Sequence, residues 1–114
     1  MRVALMFLPL AGLLATACGP TCDSTCGKIY GQLADGNCNQ RIPGEDPSAS
    51  FDRCVDECEF ALSQPGEVGD YSPRDRVTSG EIPDLENEKQ AAVWMDCVDE
   101  LSCDLLDEGF CAPI

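Results

Sequence analysis

Three stretches of the chain repeat apolar residues at helical spacing, and polar segments bearing glycine and proline separate them. In the first, Cys22, Cys26, Ile29 and Leu33 recur at i, i+4, i+7 and i+11, which lays them along one helix face, and Asp35-Gly36 supplies a stop. Asp46-Pro47 opens the second: the Asp carboxylate can accept from first-turn amides that have no partner in the helix, and proline's fixed φ suits the first helical position. Phe51, Val55, Cys58 and Leu62 form its apolar stripe until Pro65-Gly66 ends it. The third stretch starts from about Pro83. It sets Ala91, Trp94, Met95, Val98, Leu101 and Leu105 on one face and Asp96, Asp99, Glu100 and Asp107 on the other, with Gly109 as terminator. This pattern predicts an all-α domain of three helices in an up-down arrangement, over residues 22–35, 47–64 and 84–107. The polar, turn-rich link at 37–46 must reverse the chain. Residues 65–80, PGEVGDYSPRDRVTSG, have no sustained period and carry Gly, Pro and Ser throughout, so they are expected to form a flexible exposed loop.

The start of the chain has a different character. A positive end (the terminal amine and Arg2) precedes an uncharged apolar run at residues 3–14, and small residues follow. The run is shorter than the roughly 20 residues that span a bilayer as a helix, which favours an export signal over a membrane anchor. The segment Leu14-Ala15-Thr16-Ala17-Cys18 resembles the bacterial lipobox, after which lipoprotein signal peptidase cuts so that a diacylglyceryl-modified cysteine becomes the first residue. By that resemblance Cys18 is the lipidated residue, Thr16 and Ala17 are the small residues before it and Gly19 follows it. Ala15 stands where lipoboxes usually carry Leu, and Ala15-Thr16-Ala17 also fits an Ala-x-Ala site for ordinary signal peptidase. The cysteine count separates the two: the chain has nine, and lipidation of Cys18 leaves an even eight in the exported domain. The resemblance implies a signal peptide at 1–17, a cysteine-rich domain at 18–114, and attachment to the membrane through lipid on Cys18. The expected location is the bacterial outer membrane or the cell surface. Gly19 in place of Asp lacks the inner-membrane retention signal familiar from enteric bacteria.

The 97 residues from 18 to 114 make one domain at most, with a core that is marginal without cross-links. Outside the cytoplasm, Cys22, Cys26, Cys38, Cys54, Cys58, Cys97, Cys103 and Cys111 can form four disulfides. Cys22 and Cys26, like Cys54 and Cys58, stand four apart and so share a helix face, each pair offering two sulfurs to one neighbour. At about 1.5 Å of rise per residue, Cys26 lies roughly 14 Å below a helix end at Asp35 and Cys54 roughly 12 Å below a start at Asp46. Cys22 and Cys58 lie roughly 20 and 18 Å below those ends. An antiparallel pair therefore matches Cys22 to Cys58 and Cys26 to Cys54. Two such Cys-x-x-x-Cys motifs resemble the cross-braced helical hairpins of the plant alpha-hairpinin peptides and the small mitochondrial Tim chaperones, a likeness of geometry over about forty residues that carries no function. For the other four cysteines, a reversal at Gly109 would bring Cys111 toward Cys103 and leave Cys38 for Cys97; Cys38 to Cys103 with Cys97 to Cys111 stays open as the alternative.

Charge and missing residue types narrow the chemistry. Without Arg2 there are six basic side chains against twenty-one acidic ones, a formal charge of −15, which disfavours nucleic acid and anionic lipid surfaces as partners. The chain has no histidine, which removes Ser-His-Asp and Cys-His arrangements, histidine metal sites and the commonest general base near neutral pH. No Cys-x-x-Cys near a βαβ pattern suggests a thiol oxidoreductase, and exported thiols favour disulfides over zinc. The carboxylate groups Asp56, Glu57 and Glu59, Asp99 and Glu100, and Asp107 and Glu108 fall on polar helix faces in contact with water, whereas acid/base work needs one member in a desolvated pocket. Asp84, Glu86 and Glu88 alternate like the start of a calcium loop, yet Lys89 and Met95 stand where an EF-hand needs Gly and Glu. Trp94 is expected to anchor the core between helices. These residues lead to a non-enzymatic binding or structural module with no catalytic residue, metal or cofactor, whose partner is another macromolecule of the envelope or surface. A calcium or cationic-ligand binder and a small exported enzyme or redox factor are the alternatives.

Overall fold

Thr21 starts the first helix, α1 (Cys22–Tyr30), through a reciprocal cap in a computed structural model that describes residues 19–114; the expected signal peptide at 1–17 and the proposed lipidation site Cys18 lie outside the described residues. Thr21 Oγ1 accepts from the Ser24 amide at 3.1 Å and Ser24 Oγ accepts from the Thr21 amide at 2.8 Å, which satisfies two amides that the helix itself cannot. The helix ends earlier than the predicted residue 35. Gly31 adopts a left-handed conformation with φ of 76°, and its amide returns to the Gly27 carbonyl. Beyond it the Leu33 side chain folds back over Gly27, and the amides of Cys38 and Gln40 donate to the Lys28 and Ile29 carbonyls at 2.7 and 3.0 Å. A longer helix would have left this flank of α1 uncovered.

The second helix, α2 (Pro47–Leu62), starts where Asp46-Pro47 predicts, with the Asp46 carboxylate accepting from the Ser48 amide at 3.2 Å, and stops two residues short of the predicted 64. The predicted third helix is two elements, α3 (Glu88–Glu100) and α4 (Cys103–Asp107). Its start moves from 84 to 88 because Asn87 is the cap: its side-chain oxygen accepts from the Lys89 and Gln90 amides, both at 3.1 Å, while its side-chain Nδ2 donates to Glu67 O at 2.9 Å. Its interruption has a cause on α1. Lys28 Nζ donates to the carbonyls of Val98 at 2.5 Å and Leu101 at 2.8 Å, so a cation takes the orphan acceptors of the α3 terminus and Leu101 turns extended.

The structure is all-helical among the described residues, stapled by four disulfides. Cys22 joins Cys58 and Cys26 joins Cys54, each pair with Cα atoms 5.8 Å apart, which sets α1 and α2 antiparallel as the depth matching requires. The other two bridges are Cys38–Cys103 and Cys97–Cys111. The preferred expectation of Cys38 with Cys97 and Cys103 with Cys111 is therefore corrected in favour of the alternative. The break at Leu101 separates the two cysteines that a continuous helix would have carried together. Cys97 stays on the buried face of α3, while Cys103 opens α4 beside the segment that carries Cys38. After Gly109 the tail reverses along α3, and the Cys111 amide donates to Pro73 O at 2.7 Å.

α3 packs across the hairpin and closes a core of Ile29, Tyr30, Trp94, Met95, Val98 and Leu106 among the cystines, with Cys58 Sγ 3.8 Å from Met95 Sδ. Residues 65–80 are irregular and mostly exposed, yet residues 71–77 are tied to the C-terminal tail. The Tyr71 hydroxyl donates to Ala112 O at 2.6 Å, the Pro73 carbonyl accepts from Cys111, and the Val77 amide donates to Gly109 O at 2.9 Å. Among the described residues no helix is long and apolar enough to cross a membrane.

Candidate binding cleft

The end of α1, one side of α2 and the C-terminal tail leave between them a cleft of about 610 Å³, open to solvent. Each wall is a consequence of the elements above. Ile29 and Tyr30 come from the last turn of α1, Phe60 from α2, Ile42 from the link that reverses the chain, and Leu85 from the irregular run before the Asn87 cap. Trp94 closes the back: its ring is 2 % exposed, and the indole Nε1 donates to Cys111 O at 3.0 Å and Pro113 O at 2.9 Å. That pair of bonds holds Pro113 and Ile114 along the wall. Trp94 thus anchors the core, as its position in the sequence suggests, and also lines the cleft.

Phe60 is the exception to the burial pattern. It stands 64 % exposed at the mouth, on the polar side of α2, where water contact with so large an apolar side chain is costly. The remaining rim is acidic: Asp56, Glu57 and Asp84 are all exposed, and the single cation among the lining residues, Arg53, has its Nη1 2.8 Å from Glu45 Oε2. Burial pushes the Tyr30 phenol above its ordinary value, against the opposing pull of Arg53, and burial likewise raises Tyr71.

Both shifts favour the neutral phenol in the folded chain. Their stabilisation is complete below the unfolded value of 10.0 and is lost as pH rises through the folded values. Absorbance titration of the two tyrosines should show phenolate forming at higher pH in the native protein than in the reduced, denatured chain. Tyr71→Phe should remove one of the two raised phenolate transitions. Native tyrosines that ionise together with those of the denatured chain would contradict the burial of both rings.

The residues singled out by sequence are distributed as follows. All eight cysteines among the described residues are in disulfides, so no thiol there is available for metal or redox chemistry. Asp84, Glu86 and Glu88 are exposed, and only Asp84 reaches the cleft. Among the described residues no group of three or more His, Cys, Asp or Glu side chains could hold a metal ion. Glu59, Asp99, Glu100, Asp107 and Glu108 are exposed, with Glu100 paired to Arg74 and Asp107 accepting from the Gln40 side-chain Nε2. The cleft itself was not anticipated. Its one visible sign in the sequence is Phe60, an aromatic residue outside the stripe of Phe51, Val55, Cys58 and Leu62 and directly after an acidic run. No known protein family, curated protein or solved structure matches the chain.

Proposed function

We propose that this chain is a non-enzymatic exported lipoprotein, held by lipid on Cys18 at the outer membrane or surface of a bacterium, and that it serves as a small binding module there. The observation that carries this reading is the closed set of cystines. Eight cysteines pair among themselves, which accounts for every cysteine except the one that the lipobox-like segment sets aside. Four disulfides in so short a chain support an oxidising compartment. The lack of histidine, the engagement of all eight described thiols and the exposure of the carboxylates support binding over catalysis.

Membrane fractionation tests the anchor. Cys18→Ser should move the protein from the membrane fraction to the soluble one or leave its leader uncleaved, and the mass of the native N-terminal peptide should include a diacylglyceryl group. Unchanged fractionation of the variant, with a native N-terminus free of lipid, would overturn the proposal.

A further inference from the structure

We infer that the cleft at Phe60 is the docking site for a basic amphipathic peptide segment of a partner protein, one that places an aromatic or aliphatic side chain between lysines or arginines. This rests on the reading of the chain as a binding module and names its site and ligand class. The shape of the cleft supplies the first argument. Its volume of about 610 Å³ lies within the ~300–1,000 Å³ of ordinary ligand sites, its accessible wall is apolar through the half-buried Ile42, Leu85 and Ile114, and Phe60 stands exposed at its mouth. Covering Phe60 would remove apolar surface from water, and a pocketed aromatic is the kind of contact that dominates interfaces.

Charge selects the occupant. Asp56, Glu57 and Asp84 ring the opening, and the nearest cation, Arg53, is already paired with Glu45. The carboxylates continue along α2, where Asp52, Asp56 and Glu59 stand at i, i+4 and i+7, a track of about 10 Å. A track of that length suits cationic side chains repeated along a peptide better than a single small cation. A second copy of this chain, at formal charge −14, would meet like charge with like, as would nucleic acid and anionic lipid.

The test uses the purified full chain and an acetylated, amidated peptide of sequence Lys-Phe-Lys-Leu-Lys, followed by calorimetry and by the fluorescence of Trp94, the only tryptophan. Saturable binding is expected, at least about fivefold weaker in 500 mM than in 50 mM salt. A version with Ala for Phe and Leu should bind at least about tenfold more weakly, and one with Glu for Lys should show no saturable binding. On the protein side Phe60→Ala should weaken binding about tenfold, and Asp56→Asn with Glu57→Gln about fivefold. All three positions are exposed, so circular dichroism of the variants should be unchanged. Absence of saturable binding by the basic peptide, equal binding of its alanine version, or undiminished affinity in Phe60→Ala would overturn the inference. None of these outcomes bears on membrane attachment through Cys18, so a failed cleft and a failed anchor are distinguishable.

Discussion

Complete reduction of the disulfides should abolish the helical circular dichroism of this chain at room temperature, while the oxidised protein keeps it. Six of the twelve residues in the buried cluster are half-cystines, so the apolar core without them is Ile29, Tyr30, Trp94, Met95, Val98 and Leu106. The bridges close separations of 36, 28, 65 and 14 residues. In the chain-entropy account each contributes roughly 3–4 kcal/mol, against the ~5–15 kcal/mol that a small domain has in total. Loss of any two is comparable with the whole stability. The helices give little refuge: α1 has nine residues and α4 five, below the ~12–15 that persist alone in water, and α3 with thirteen and α2 with sixteen stand at that margin. A far-ultraviolet spectrum that stays helical after thiol titration shows all four bridges open would mean that the apolar packing suffices without them.

Gly109→Ala should destabilise the protein by about 3 kcal/mol or more, lowering the melting temperature by roughly 12 °C or more. Gly109 has φ of 104°, beyond what side-chain-bearing residues adopt without strain, and a Cβ built there would lie 2.2 Å from Val77 O. The obstacle is backbone, and it is fixed on both sides. The Val77 amide donates to Gly109 O at 2.9 Å, and two residues on, Cys111 is bonded to Cys97 and donates to Pro73 O. Relief would have to part the 65–80 segment from the tail. Gly36→Ala is the matched control, because Gly36 has φ of 71° with nothing within 4 Å, leaving only the conformational cost of about 1 kcal/mol. Thermal unfolding of the two variants that differed by less than about 1 kcal/mol would show that Val77 and Gly109 can separate cheaply.

The hairpin was legible because its determinants are local. Four-residue cysteine spacings, the Asp46-Pro47 start and stripes of period 3.6 each act within a turn or two of helix, and depth along two helices then decides the pairing. What escaped was set by residues distant in sequence. Nothing near Leu101 announces a break, because Lys28, about seventy positions earlier, takes the carbonyls there; only Ser102, a residue type suited to start a helix, hints at α4. The pairing of Cys38, Cys97, Cys103 and Cys111 depended on that break and was misjudged with it. The early end of α1 turns on Gly31, which a stripe continuing to Leu33 masks in the sequence; in the fold the Leu33 side chain instead turns back onto Gly27. The cleft draws on α1, α2, α3, a link, an irregular run and the tail, so periodicity within any one element could not show it.

The cystines also decide what a protease can accomplish. Considered as a network, the backbone from Cys22 to Cys111 lies wholly on closed rings, since the spans 22–58, 38–103 and 97–111 overlap without a gap. One cut anywhere in that interval opens a ring and severs nothing. The interval between Cys58 and Cys97, which includes Arg74 and Arg76, is spanned by Cys38–Cys103 alone. A chain nicked there therefore stays one molecule through a single bond between sulfur atoms, and it becomes two pieces only when that bond is reduced as well.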